Sequence, residues 1–231
     1  MRPVERGDPP RPYGSYQEAR PDLEARLGRF CSYCERYVTT HLAVEHARPK
    51  SKDRDLALEW SNLLLACVNC NSAKGTRQPA AATLWPDTDN PLLALRYISG
   101  GLVEVRPDVD TATRTGADAL IAMVGLDRYP GGPGPQPTTA DGRWQQRNEA
   151  WTKAEHYRRQ LASGSSQQLR QMVACLAAER GMFSIWWTVF EGDADMRRRL
   201  REVFPGTSAA CFDANESAVA RPGAGCARAR R

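Results

Sequence analysis

The chain has 231 residues, a formal net charge of +5, 41% hydrophobic residues and 26% charged residues. This composition is ordinary for a globular protein and allows one domain or two small ones. The opening residues, MRPVERGDPPRP, contain no apolar core, which excludes a secretory signal, and no apolar run is long enough to span a bilayer. We therefore expect a cytoplasmic protein without membrane association, whose mild positive charge permits a polyanionic partner.

The elements predicted in the first third of the chain are short. Residues 1–20 are rich in Pro, Arg and Gly and predict an extended arm, and residues 21–30 predict a helix with Pro21 in its first turn. The β-branched stretch 37–46 predicts a strand, followed by a polar loop over 51–60. The next segment, NLLLACVNCNSAK, predicts a short apolar helix or turn and then a further helical turn.

Beyond residue 80 the pattern is mainly helical. A hairpin is predicted around Ser99-Gly100-Gly101, and a linker over 129–142. Helices are predicted over 115–125, 143–162, 165–180 and roughly 194–203, the first with apolar residues on one face. The basic segment from Ser217 onward has little to bury and predicts a disordered tail.

Two Cys-x-x-Cys pairs predict a structural zinc site. Reduced thiols are the norm in the cytosol, so such pairs indicate metal or redox chemistry rather than disulfides. A redox dithiol would need one pair beside a βαβ unit, which is not visible here. Zinc accepts four thiolates in a closed tetrahedron, so the site is structural, and Arg29 and Arg36 are placed to offset its charge. The ligands are Cys31, Cys34, Cys67 and Cys70. Cys175, in an apolar stretch, is predicted to be a core residue.

A Glu45-His46 dipeptide lies between the two cysteine pairs. The His46 imidazole could accept a proton from water near neutral pH, and phosphodiester hydrolysis needs both such a base and a divalent cation. The Glu45 carboxylate and the Asn71 amide oxygen are donors that suit Mg²⁺ or Mn²⁺. Neighbouring strand residues point to opposite faces, so both side chains reach one site only where the strand ends. The alternative is a solvated strand end without function.

The segments CSYC, VEHARPK, WSNLLLAC and CNSAK, in this order, resemble the four-cysteine form of the HNH endonuclease superfamily. The resemblance implies an α+β fold with a ββα-metal core, His46 as general base, Glu45 and Asn71 as ligands of a catalytic cation, and Asn62 as the residue that ties the loop and orients the base. Glu replaces the commoner Asp, and Asn replaces His at the last motif position.

The implied organisation has four parts. They are an N-terminal arm and short helix over 1–28, the nuclease core over 29–80, a mainly helical accessory region with a hairpin over 81–216, and the tail over 217–231. The segment MRPVERG and a later GLDR…RW pattern are similar to a bacterial subgroup, the PtuB-like nucleases that work beside an ATPase in Septu-type phage defence.

This resemblance implies a nuclease that cuts DNA with Mg²⁺ or Mn²⁺ and has an ATPase partner. One such site cuts one strand, so a double-strand break requires a homodimer or two events. Two alternatives stay open: a nuclease acting on structured RNA such as tRNA, and a zinc-stapled binding or scaffold module without turnover. Basic residues near the proposed base are predicted to hold phosphates, namely Arg48, Lys50, Lys52 and Lys74.

Overall fold

The computed structural model describes residues 1–223. Four short strands form two antiparallel hairpins, and their bounds are β1 Ala43–His46, β2 Leu63–Ala66, β3 Leu95–Ile98 and β4 Leu102–Val105. The helices of the described part are α1 Arg20–Leu27, α2 Val68–Lys74, α3 Thr111–Val124, α4 Arg143–Ser163, α5 Gln167–Arg180, α6 Phe183–Val189 and α7 Ala194–Val203. A ββα unit is therefore followed by a hairpin and a helical region, as the predicted fold class requires. None of the helices in this part of the chain combines the length and the apolarity that a membrane crossing needs.

The first hairpin differs in detail from its prediction. β1 is shorter than the predicted strand 37–46, because His41 adopts a left-handed backbone with φ of 58°, which no continuous strand tolerates. The segment Leu63–Ala66, predicted as a helix or turn, is a strand whose four residues are all buried. It pairs with β1 and also packs against α1, so tertiary contacts select the extended form.

The predicted helices of the accessory region are confirmed and have recognisable ends. Asp110 caps α3 by accepting a hydrogen bond from the Thr113 N–H at 2.9 Å, and Gly125 ends it in the left-handed conformation. Ser166 caps α5 in the same way. Helix α6 was not predicted, and its Trp186 and Trp187 pack into the core.

Two hydrophobic clusters hold the described residues together. One joins the ββα unit to α1, the β3–β4 hairpin and α3, and the other is formed mainly by α4 to α7. Trp151 of α4 packs against both clusters and so joins them. Cys175 departs from its prediction, because its position on α5 faces solvent.

The two termini of the described chain meet each other. Met1 and Val4 are fully buried, and the Val4 N–H donates to the Pro86 carbonyl at 2.6 Å. The predicted disordered tail begins at Ser217, yet the Val219 N–H donates to Cys211 O at 2.9 Å and Arg221 donates to Val4 O at 2.8 Å. Residues 217–223 are thus held by backbone hydrogen bonds and by an arginine, and the rest of the predicted tail, 224–231, lies outside the described residues.

Candidate active site and metal centre

The two cysteine pairs converge on one buried centre. Their four Sγ atoms lie within 4.8 Å of one another, and Cys34 Sγ and Cys67 Sγ are 3.6 Å apart. Sulfur atoms bound to zinc at about 2.3 Å in a tetrahedron lie about 3.8 Å apart, so the donor set and its spacing fit such an ion. The predicted ligands therefore form a four-cysteine metal site.

The metal site connects the two halves of the ββα unit. Cys67 is the N-cap of α2 and Cys70 lies in its first turn, while Cys31 and Cys34 come from the loop after α1. Burial raises the pKa of the Cys31, Cys34 and Cys70 thiols well above the usual value. A cation bound by thiolates reverses that preference, so metal binding and deprotonation of the cluster are coupled.

The arginines expected beside the metal site have other partners. Arg29 donates to the Thr39 carbonyl and lies 3.6 Å from the Glu24 carboxylate, and Arg36 donates to the Asn69 side chain at 3.0 Å. The cation that reaches a sulfur is instead Arg143 of α4, whose Nη1 donates to Cys70 Sγ at 3.2 Å. Whether Arg29 and Arg36 also offset the charge of the site stays a prediction.

The proposed base is fixed in one tautomer by the chain itself. His46 Nε2 lies 3.0 Å from the Ala57 carbonyl oxygen, which can only accept, so Nε2 carries the proton and Nδ1 keeps its lone pair. The Tyr16 ring packs edge-on against the imidazole, with centroids 4.8 Å apart. Burial lowers the pKa of His46 below its ordinary value and outweighs the hydrogen bond to the Ala57 carbonyl, which raises it; the ammonium groups of Lys50 and Lys74 add to the lowering. The environment therefore favours the neutral ring.

Asn62 fastens the loop that positions His46. Its Oδ1 accepts from the Arg48 N–H at 2.8 Å, and its Nδ2 donates to the carbonyls of Arg48 and Leu56, both at 3.0 Å. Leu56 directly precedes Ala57, the residue whose carbonyl holds the imidazole. The Asn62 amide is hydrogen-bonded through both its oxygen and its nitrogen and is 2% exposed, an arrangement that suits the predicted role of tying the loop.

Glu45 and Asn71 meet His46 at a cavity of about 210 Å³. β1 ends at His46, which is the strand end that the two neighbouring side chains need in order to face one cavity. Asn71 directly follows Cys70 on α2, so the metal site places its amide across from β1. The structure thus brings together the three residues that the sequence singled out for the site.

A buried lysine pairs with the acid of this site. Lys74 Nζ lies 2.7 Å from Glu45 Oε1 and donates to the His46 carbonyl at 2.8 Å, and the lysine is 1% exposed. Burial raises the pKa of the Glu45 carboxyl, and the Lys74 ammonium acts in the opposite direction. Lys74 was predicted to contact phosphates on the surface, but its ammonium is instead a buried partner of the acid. Its i, i+3 spacing from Asn71, which puts both on one helix face, was the available signal.

The other three residues predicted to contact phosphates differ in their exposure and in their partners. Lys50 is exposed, lines the cavity and lies over the Tyr16 ring at 4.0 Å. Lys52 is exposed on the same loop. The Arg48 guanidinium pairs with Asp53, with Nη2 and Oδ1 3.0 Å apart. Lys50 is therefore the cation best placed for a phosphate that enters the cavity.

Residues 31–77 match the model of the HNH endonuclease family. They form an HNH domain. A curated relative, the Septu protein PtuB of Bacillus thuringiensis, is 41% identical over 49 residues, which cover 20% of this chain and 19% of that protein. The chain thus spans about a fifth of the length of the relative it matches.

Several neighbours of His46 and Cys70 lie outside the motifs that were recognised in the sequence. Ala57 contributes only a carbonyl and Tyr16 comes from the segment before α1, and nothing in their local sequence indicated a place beside His46. The contact of Arg143 with Cys70 joins positions 73 residues apart. The packed structure alone identifies these neighbours of the site.

Proposed function

We propose that the HNH domain is a metal-dependent endonuclease that hydrolyses phosphodiester bonds in DNA, and that the chain serves anti-phage defence beside an ATPase partner. The observation that carries the nuclease assignment is the His46 tautomer: the imidazole commits Nε2 to the Ala57 carbonyl and keeps Nδ1 as an acceptor, and His46 lines the same cavity as Glu45, Asn71 and Lys50. The family of residues 31–77 supports the reaction class, and the similarity to the Septu protein PtuB supports the defence role and the partner.

In the proposed reaction, His46 Nδ1 takes a proton from the water that attacks the phosphorus. The bond from phosphorus to the 3′ oxygen breaks, the 3′ oxygen takes a proton from solvent, and the products carry 5′-phosphate and 3′-hydroxyl ends. Glu45 and Asn71 would hold Mg²⁺ or Mn²⁺, which supplies charge stabilisation at the phosphate and the leaving oxygen when bound. Lys50 holds the phosphate at the mouth of the cavity, and zinc fills the four-cysteine site as a purely structural ion.

The fit of the donors to a divalent cation rests on the Glu45 carboxylate. Lys74 approaches one oxygen of that group, Oε1, and a carboxylate has a second oxygen that can take a cation. The Asn71 amide oxygen supplies another ligand, and Mg²⁺ usually keeps several waters. One carboxylate and one amide therefore suffice for a weakly held ion.

Cleavage of supercoiled plasmid DNA tests this function. We expect nicked circles with Mg²⁺ or Mn²⁺ and none after chelation of the divalent cation, because Glu45 and Asn71 alone cannot neutralise the transition state. A folded RNA of matched length is the parallel substrate. Cleavage of RNA but not DNA would show that the substrate is RNA. Cleavage of neither substrate, even with an ATPase partner and nucleotide present, would contradict the nuclease assignment.

The contact between Lys74 and Glu45 favours one second candidate, a binding or scaffold module without turnover. The buried Lys74 ammonium already balances the charge of the Glu45 carboxylate, so no catalytic cation is needed to neutralise that charge. This candidate predicts nucleic-acid binding that is indifferent to Mg²⁺ and Mn²⁺. The same plasmid assay, read together with a binding isotherm with and without Mn²⁺, separates the two functions.

The role of Asn62 can be separated from that of the base. We expect Asn62→Ala to lower kcat about 10²-fold with little change in KM, because the Ala57 carbonyl loses its anchor and the imidazole its orientation. The unmet hydrogen bonds of the loop should also lower stability by about 1–3 kcal/mol. Steady-state cleavage kinetics and thermal unfolding measure both effects, with Asn215→Ala, an exposed asparagine, as the control. A rise in KM at unchanged kcat would instead place Asn62 in contact with substrate.

A further inference from the structure

Two buried arginines lie on the face of α4 that reaches the four-cysteine site through Arg143. Arg143 and Arg147 are both 1% exposed, and their i, i+4 spacing puts them on one face of the helix, one turn apart. Residues 31–77, which carry the cysteines, do not include this helix. The cations therefore come from outside the family core.

Arg143 contacts the metal site directly. Its Nη1 donates to Cys70 Sγ at 3.2 Å and to the Val124 carbonyl at 2.6 Å. Its other nitrogens bond the Asp141 carboxylate, with Nη2 2.6 Å from Oδ2. The aspartate holds the guanidinium in place and also balances its charge, so Arg143 brings a fixed hydrogen-bond donor to the sulfur.

Arg147 is a buried guanidinium without an acidic partner in the described residues. Its Nε donates to the Gly101 carbonyl at 2.7 Å and its Nη2 to the Leu126 carbonyl at 3.0 Å, while the buried Nη1 has no hydrogen-bond partner. A charge removed from water at this depth is very costly unless an anion compensates it. The structure has placed a positive charge here without supplying a carboxylate.

The anion that fits is the metal cluster itself, because a divalent ion bound by four thiolates carries two negative charges. We propose that Arg143 and Arg147 form the cationic outer shell of the four-cysteine site, so that the helical region takes part in holding the metal. The inference rests on the zinc assigned to this site under the proposed function. Burial lowers the pKa of Arg147 and Arg143 adds to the lowering, while Tyr97, Cys34 and Cys70 act in the opposite direction.

The arrangement links metal loss to the stability of α4. When the metal leaves, the metal–thiolate cluster that carried the compensating negative charge no longer exists. Arg147 is then an uncompensated charge at the junction of α4 with the turn of the β3–β4 hairpin. Removing that charge should accordingly harm the metal-loaded protein more than the metal-free protein, which a purely structural arginine would not do.

Zinc competition and thermal unfolding of the full chain test the proposal. The variants are Arg147→Gln, which loses the charge and keeps hydrogen-bonding groups, and Arg147→Lys, which keeps the charge. Arg158→Met, at a largely exposed ion pair on the same helix, is the control. Zinc affinity is read by transfer to a chromogenic chelator, and Tm is measured for zinc-loaded and chelator-stripped samples.

We expect Arg147→Gln to weaken zinc binding about 10–100-fold relative to Arg158→Met, and Arg147→Lys to stay within a few-fold of the parent. The Tm loss of Arg147→Gln should be larger in the zinc-loaded sample than in the stripped one. Equal Tm losses in both samples or an unchanged zinc affinity of Arg147→Gln would overturn the proposal. So would an Arg147→Lys variant that loses zinc, or fails to fold, to the same extent as Arg147→Gln. A parent protein that contains no zinc would instead refute the zinc assignment.

Discussion

His46→Ala is expected to lower the rate of phosphodiester cleavage by about 10²–10⁴-fold, the usual contribution of a positioned general base. The imidazole has its Nε2 committed to the Ala57 carbonyl, which leaves Nδ1 as the proposed acceptor for the proton of water. Alanine removes that acceptor and leaves the four-cysteine site untouched. Nicking of plasmid DNA under single-turnover conditions measures the loss.

The matched control is His41→Ala. His41 is exposed in the loop before β1, so its removal should leave cleavage within about two-fold of the parent, as is usual for surface positions. Zinc content and Tm of both variants show whether the fold survives. If His46→Ala keeps its zinc and its Tm yet nicks as fast as the parent, His46 is not the base.

Cys67→Ser is expected to have the largest effect on stability. Cys67 supplies one of the four sulfurs and is also the N-cap of α2, the helix that carries Asn71 and Lys74. Structural zinc contributes about 10–16 kcal/mol in small modules, and each kcal/mol corresponds to about 2–4 °C in Tm for a chain of this size. We expect Tm to fall by more than about 10 °C, with loss of the bound metal.

Cys175→Ser provides the comparison, since this cysteine is exposed on α5. It should leave metal content and Tm close to those of the parent. Differential scanning calorimetry together with elemental analysis reads both variants. A Cys67→Ser protein that retains a full equivalent of zinc and the parent Tm would show that the four sulfurs do not hold a structural ion.

Features set by local rules were readable from the sequence. The two cysteine pairs were found from their spacing, and the C-terminal end of α3 follows from the left-handed Gly125, although α3 begins at Thr111 and not at the predicted residue 115. The acid, base and amide of the cavity were identified by their order and by the family they resemble, and their roles stay predictions. Each of these signals lies within a few neighbouring residues of the sequence.

Features that depend on distant packing were not readable. The pairing of Lys74 with Glu45 requires α2 to lie against β1, and the spacing of Lys74 from Asn71 indicates only that the two share a helix face. Likewise, the left-handed backbone of His41 shortens a strand that β-branched residues favour. Arg143 could be assigned to the metal site only after a helix more than seventy residues away was placed beside it.

The corner between α5 and α6 fits tightly against the first cysteine pair. The Glu35 carboxylate accepts from the Ser184 N–H at 2.7 Å and from its hydroxyl at 2.6 Å. At Gly181 an added Cβ would lie 2.5 Å from the Glu35 carbonyl oxygen and 2.5 Å from the Tyr37 nitrogen. Anyone who exchanges this HNH domain for that of a relative must therefore transfer the matching corner too, because Ser184, which binds Glu35, lies 149 residues further along the chain.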